Sequence, residues 1–318
     1  MIHHHSRLPF HTNSSSLAYI RTPRLTLGVS LLEILISLTL GLMLLAMVLQ
    51  AYLGTKSVIS ATVQNTKTQN NIRFLSYFLH RQISMSGYAG CGKLSDLNLK
   101  NNTSFDFLDT NIIYGFSSDH LPVHSKLKKY QIAPNTDIIV IQKANEGIAA
   151  ITDEIKAGAE NFHATENPAT QNNHTLLLAD CVNGDLFDAI NIGGKLVRAH
   201  HKIAHQYSVS ATTVSRFTQI AYFISTTTSG DKRQIGLYYA VNYGNKEMLA
   251  DGVNSMKIRY GVVDHRDKPL ANYYSAEQVT AGNLWNKVTS VMITLTQSTI
   301  TAVTKTLSWN IYIKLRER

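Results

Sequence analysis

Complete catalytic or nucleotide-binding motifs are missing from this 318-residue chain. Gly193-Gly194-Lys195 invites comparison with a phosphate loop. The first glycine of that pattern would fall at Ala189, and Leu196 stands where Ser or Thr must hold the metal. There is no G-x-S-x-G nucleophile elbow. His201 and His205 lie four apart beside His200, but no Glu follows the first of them in a zinc-protease pattern. Asp264-His265-Arg266-Asp267 lacks the glycine and the spacing of a calcium loop. His3, His4 and His5 near a polar terminus make a weak metal tract. The expectation is a protein that is not an enzyme and needs no cofactor and no metal.

Cysteine is nearly as scarce. Cys91 and Cys181 are the only two, so at most one intrachain disulfide can form. In an oxidising compartment outside the cytoplasm they can pair; inside the cytosol they are two buried thiols. Acids are absent from residues 1–28, which carry Arg7, Arg21 and Arg24 and are rich in Ser, Thr and His. That segment has no helical apolar period and predicts no fold. The formal charge is +9, so the remainder still carries +6, a solvated basic surface that can also favour acidic partners or nucleic acid.

One long apolar run is present, Val29 to Leu53, with Glu33 as its single formal charge. A spanning helix needs about 20 mostly apolar residues, so the run is long enough to cross a bilayer. Arginines ahead of a span hold that side in the cytoplasm. The chain is therefore expected to enter with its N-terminus inside and everything after Leu53 outside. The run is longer than a secretory h-region, and no small-x-small cleavage site follows it. A carboxylate near the centre of a span costs about 2.5–3.5 kcal/mol. Glu33 sits close to the start, where it can reach the interface or pair with a cation in the same layer.

Gly28-Val29-Ser30-Leu31-Leu32-Glu33 followed by this run resembles the class III signal of type IV pilins and type II secretion pseudopilins. The resemblance implies that prepilin peptidase cuts between Gly28 and Val29 and that Val29 is then N-methylated. The family usually has Phe or Met there, so Val29 departs from it. Glu33 takes the place of the family's glutamate at the fifth mature position. The freed amine of Val29 on a neighbouring subunit is a cation that Glu33 can neutralise, and methylation keeps its charge.

Beyond the span, Ile72, Leu75, Leu79 and Ile83 recur at helical spacing, with Phe74 and Phe78 widening the stripe. Gly87 is a plausible stop. The whole helix, about 58 residues from Val29 to Ser86, would measure about 87 Å. Asn71-Ile72-Arg73-Phe74, Phe78-Leu79 and the turn Gly87-Tyr88-x-Gly90-Cys91 resemble the end of the long helix in PilW-type minor pilins. Ala179-Asp180-Cys181, Asp251-Gly252-Val253, Ile258 to Val262, Leu284 to Val288 and the end Leu315 to Arg318 resemble later segments of the same family.

Residues 92–135 read as an irregular connection over the sheet, and Ala149–Ala159 as a short helix or loop. Strand-like runs follow at 137–143, 174–178, 186–192, 219–225, 234–241, 255–263, 288–296 and 306–315. The pair at 219–225 and 234–241 reads as a hairpin with a long loop. Together these predict an α+β fold: a long N-terminal helix packed on a C-terminal antiparallel sheet head, a pilin-like αβ-roll. The expected division is leader 1–28, transmembrane and assembly half-helix 29–53, amphipathic half-helix 54–86 and β-rich periplasmic head 87–318.

The resemblance implies a minor pilin that primes pilus biogenesis and sits at or near the tip. It would lie in the inner membrane before assembly and in the fibre at the cell surface afterwards. Its partners would be other minor pilins, the major pilin, prepilin peptidase, the inner-membrane assembly machinery and a tip adhesin, in the service of adhesion and twitching motility. The resemblance also implies a Cys91–Cys181 disulfide. The alternatives are a J-type pseudopilin, a DNA-uptake subunit, suggested only by the basic balance, and a membrane-anchored periplasmic enzyme.

Overall fold

The computed structural model describes residues 28, 30–90, 92–103, 111–122, 125–169, 174–190, 194–229, 232–263, 272–299 and 305–316. It divides into two compact units, Met1–Asn65 and Thr66–Arg318. The helix α1 is Leu31–Ser84.

Fourteen strands follow among the described residues. They are β1 (Asn98–Asn102), β2 (Ile113–Ser117), β3 (Asp137–Ala150), β4 (Asn161–His163), β5 (His174–Ala179), β6 (Asn183–Ile190) and β7 (Leu196–Ala199). Then come β8 (Thr213–Ser229), β9 (Lys232–Val241), β10 (Lys246–Asp251), β11 (Val253–Val262), β12 (Asn272–Tyr274), β13 (Val288–Thr299) and β14 (Lys305–Lys314). A short helix, α2 (Ala276–Ala281), starts on a capping box: the Ser275 hydroxyl accepts from Gln278 N–H, and the Gln278 side chain answers to the Ser275 N–H.

The strands form two sheets. The larger has ten strands, in the order β10-β9-β8-β5-β6-β7-β4, with β3 also on β8, β2 on β3 and β1 parallel to β6. The 17-residue β8 is its axis. One edge of β8 carries β3; the other carries β5 over Thr213–Arg216 and then β9 over Ile220–Ser229. The second sheet is β12-β11-β13-β14, antiparallel throughout.

Side chains alternate across a strand, so a strand buried on both faces reads as an unbroken apolar run. DIIVI in β3 is such a run. Ile139 and Ile141 enter the main core, while Ile138 and Val140 enter a second core on the other face with Leu127, Tyr130, Phe223 and Tyr238. LLL in β5 behaves the same way: Leu177 joins the main core, and Leu176 and Leu178 join a third core with Ile155, Phe162, Phe187 and Tyr207. The main core also holds Met256, Ile258, Ile293 and Ile311 of the second sheet and Leu75, Leu79 and Ile83 of α1. Each of those three helical residues is fully buried, worth about 1.5–3 kcal/mol apiece. Ile72 and Phe78 are half-buried and Phe74 is exposed, so the stripe is narrower than its apolar spacing suggests.

The fold class needs correction. The expected α+β roll, a long helix packed on one antiparallel sheet, is instead a mostly-β fold that shows, among the described residues, ten- and four-stranded sheets and three cores. The reason lies in residues 92–178. The segment expected to be an irregular connection supplies β1 and β2, and β3 runs on through Ala150 where a helix or loop was expected. The hairpin of β8 and β9 is present, and its ladder extends to Ser229↔Lys232, far beyond the runs that announced it.

Tyr260 on β11 is fully buried, and its hydroxyl has no hydrogen-bond partner among the described residues. Burial drives its pKa well above the ordinary tyrosine range. The hydroxyl points at Gly115 of β2, where an added Cβ would lie 2.0 Å from it. An orphaned buried hydroxyl carries a desolvation cost of about 1–3 kcal/mol. Tyr260→Phe is therefore expected to leave the thermal midpoint unchanged or raise it, as followed by calorimetry; a fall of several degrees would show that the hydroxyl has a stabilising role.

Candidate assembly helix and its anchor

The candidate site is α1 and the turn that ends it. Every residue from Leu31 to Val63 is exposed, including Leu31, Leu35, Leu42, Leu45 and Leu49. Among the described residues, α1 is the helix long and apolar enough to cross a membrane. Over Leu31–Leu53 the surface is apolar on nearly all sides, which suits a helix surrounded by lipid or by other helices. Three of its threonine hydroxyls fit that setting, since they donate to carbonyls of the preceding turn: Thr39 to Ile36 at 2.9 Å, Thr55 to Ala51 at 2.8 Å and Thr62 to Val58 at 2.8 Å. Those three hydroxyl hydrogens are satisfied within the helix itself.

Glu33 lies in the first turn, and its backbone N–H donates to Ser30 O at 2.9 Å. A carboxylate at a helix N-terminus is stabilised by the positive end of the helix dipole. Gly28 is exposed with nothing within 4 Å of a Cβ built on it. Val29 lies outside the described residues, and with it the expected methylation site. Cys91 lies outside them too, so the pairing with Cys181 is not visible in the described part.

The far end of α1 is fastened at several points. Lys67 Nζ donates to Asp251 Oδ2 of β10 at 2.8 Å, and this contact holds the Asp251 carboxyl below its usual range. Lys143 Nζ donates to Gln82 Oε1 at 2.6 Å. Arg316 N–H donates to Ser84 O at 3.0 Å, and its guanidinium lies 5.6 Å from the centre of the Tyr88 ring. Gly87 then reverses the chain. Its φ is +73°, a Cβ there would meet Ile112 Cγ2 at 2.2 Å, its N–H donates to Gln142 O, and its carbonyl accepts from Leu94 N–H. The glycine in the Gly87-Tyr88-x-Gly90-Cys91 turn is thus demanded by both backbone and space.

A buried polar cluster went unread in the sequence. Asp185 on β6 is fully buried. It accepts from Ala204 N–H (3.0 Å), His205 N–H (3.1 Å), His205 Nδ1 (2.9 Å) and the Tyr207 hydroxyl (2.7 Å). Burial, and then the Asp185 bond, push the Tyr207 hydroxyl far above its ordinary range. An Asp–His pair suggests a catalytic dyad, but the nucleophile's place at His205 Nε2 is taken by Asn98 Nδ2 at 3.1 Å. His200 and His201 sit with ring centres 6.5 Å apart, and no group of three His, Cys, Asp or Glu able to hold a metal occurs among the described residues. The sequence signal for this cluster was an acid, Asp185, at the head of the run DLFDAI, which also carries Asp188.

Residues 221–310 match the family model described as Type IV Pilus-assembly protein W. The match runs from the middle of β8 into β14 and takes in nearly all of the second sheet. No curated protein matches the chain, and neither does any solved structure. Similarity over that stretch marks the chain as a type IV pilus-related protein with a part in pilus assembly.

Proposed function

We propose that the chain is a minor pilin, cut between Gly28 and Val29, whose α1 holds it in the inner membrane and then bundles with other pilin helices in the fibre. The observation that carries this reading is the exposed, apolar surface of Leu31–Leu53 with one acid in its first turn, in a chain whose later part matches a pilus-assembly family. In this reading the N-terminus is cytoplasmic and the β-rich part periplasmic. Glu33 neutralises the N-terminal amine of a neighbouring subunit, in a layer where an unpaired charge is costly. Cys91 and Cys181 form a disulfide in the oxidising compartment. The work is packing and recognition, and it involves other minor pilins, the major pilin, prepilin peptidase and a tip adhesin.

Mass spectrometry of the mature protein tests the processing. The expected N-terminus is methylated Val29, with Cys91 and Cys181 recovered in one cross-linked peptide before reduction. An intact Met1, or a cut beyond Leu53, overturns the proposal. Glu33→Val should still insert in the membrane. Its incorporation into sheared fibres should fall about tenfold, the factor that about 1.4 kcal/mol of lost pairing produces. Unchanged incorporation removes the charge-pairing role.

A further inference from the structure

An antiparallel sheet commonly packs one face on the core and leaves the other to solvent. In the second sheet, Met256, Ile258, Tyr260, Ile293 and Ile311 fill the core face. The opposite face has an unusual charge pattern. The strands β11, β12, β13 and β14 contain no Asp or Glu, and register places Lys257, Arg259 and Lys314 on this face. Register places Arg259, Met292 and Tyr312 in one cross-strand row, and Tyr273, Gly261, Ser290 and Lys314 in the next. Arg259 is exposed, Tyr312 is 62% exposed and Tyr273 is 40% exposed. Gly261 puts no side chain between Tyr273 and Ser290. At the rim, Asp137 of β3 brings its Oδ1 within 3.6 Å of Lys257 Nζ, and Glu277 of α2 adds a second negative charge near Asp137.

We propose that this outer face, with two exposed tyrosines flanking Arg259 on a sheet free of acids, is a docking surface for single-stranded nucleic acid. Two features point to that occupant together. A face with cations and no acid in its strands attracts a polyanion. Exposed aromatic rings on a flat sheet offer stacking platforms to unpaired bases, which duplex DNA keeps inside its helix. Tyr273 and Tyr312 are on the two outer strands, three strand spacings apart, or about 14 Å. That separation lets one strand of nucleic acid touch both rings while its phosphates pass Arg259. Acidic protein offers charge without bases, so stacking separates the two. The inference stands apart from the minor-pilin reading, since it concerns the sheet alone and neither processing nor assembly enters it.

The test uses the full chain in detergent micelles and a fluorescein-labelled dT oligonucleotide of about 20 nucleotides at about 50 mM salt, read by anisotropy. Saturable binding that weakens steeply with salt is expected, with a blunt-ended duplex of the same length and poly-glutamate both weaker. Stacking onto one tyrosine is worth about 1–3 kcal/mol, so Tyr312→Ala should weaken binding about fivefold or more while Tyr312→Phe retains it. Arg259→Ala should weaken binding and flatten the salt dependence. These side chains are exposed, so the thermal midpoints should not move. The proposal is overturned by absent binding, by poly-glutamate or duplex binding equally well, or by Tyr312→Ala and Tyr312→Phe behaving alike.

Discussion

Gly87→Ala is expected to destabilise the β-rich part of the molecule by about 3–4 kcal/mol. Two costs combine. A residue with a Cβ held at positive φ loses about 1–2 kcal/mol. Forcing a methyl into occupied space costs about 1–3 kcal/mol more, and the Cβ of residue 87 would stand 2.2 Å from Ile112 Cγ2 and 2.7 Å from Ile112 Cβ. Relief by a shift of the turn is resisted on both sides, because Gly87 N–H is tied to Gln142 O at 2.7 Å and Gly87 O to Leu94 N–H at 2.7 Å. Gly158 supplies the control. Its φ is +88° and nothing lies within 4 Å of an added Cβ, so Gly158→Ala should cost only the backbone share. Urea unfolding of both variants, monitored by tryptophan fluorescence, separates the two costs. Equal losses at the two positions would show that Ile112 gives way freely and that the turn is not a rigid anchor.

That turn was also the most readable part of the head. A glycine after a helical stripe is a stop signal, and Leu75, Leu79 and Ile83 lie buried where their spacing put them. Long apolar runs such as DIIVIQK and QIAYFIS lie within β3 and β8 for the same reason: their side chains are needed on two faces. Other elements left weaker traces. β1, NLKNN, has one apolar residue, Leu99, too little for a strand period to show, and it pairs with β6 in parallel register. β4 and β12 have three residues each, too short for any period to show. The branching of β8, with β5 and β9 in succession along one edge, is set by pairing between distant segments, which no local pattern encodes. This is how a sequence that reads as one helix and one sheet folds into two sheets and three cores. At the candidate site, the long exposed helix was legible because an unbroken apolar run is written in composition. The fastenings of α1 to Asp251, Lys143 and Arg316 were not, because each joins residues far apart in the chain.

Asp185→Ala is expected to be the most damaging single change in the third core. Removing one partner of a buried, hydrogen-bonded charge costs about 3–5 kcal/mol, because its former partners remain buried without an acceptor. Four donors converge on this carboxylate: two backbone N–H groups, the His205 ring and the Tyr207 hydroxyl. The Tyr207 hydroxyl is left with Leu178 O at 3.3 Å, and the His205 ring keeps Asn98 at its other nitrogen. The loss should lower the thermal midpoint by roughly 6–20 °C, at about 2–4 °C per kcal/mol for a unit of this size. Asp185→Asn should lose less, since the amide oxygen still accepts where a methyl cannot. Hydrogen exchange gives the local readout. The amides of Ala204 and His205 should lose protection first, whereas Tyr207 N–H, bonded to Ile155 O at 2.8 Å, should hold longer. A midpoint lowered by less than about 3 °C would mean that water or a shifted loop replaces the carboxylate, and the 200–207 segment would then be held by its apolar anchors Ile203 and Tyr207 alone.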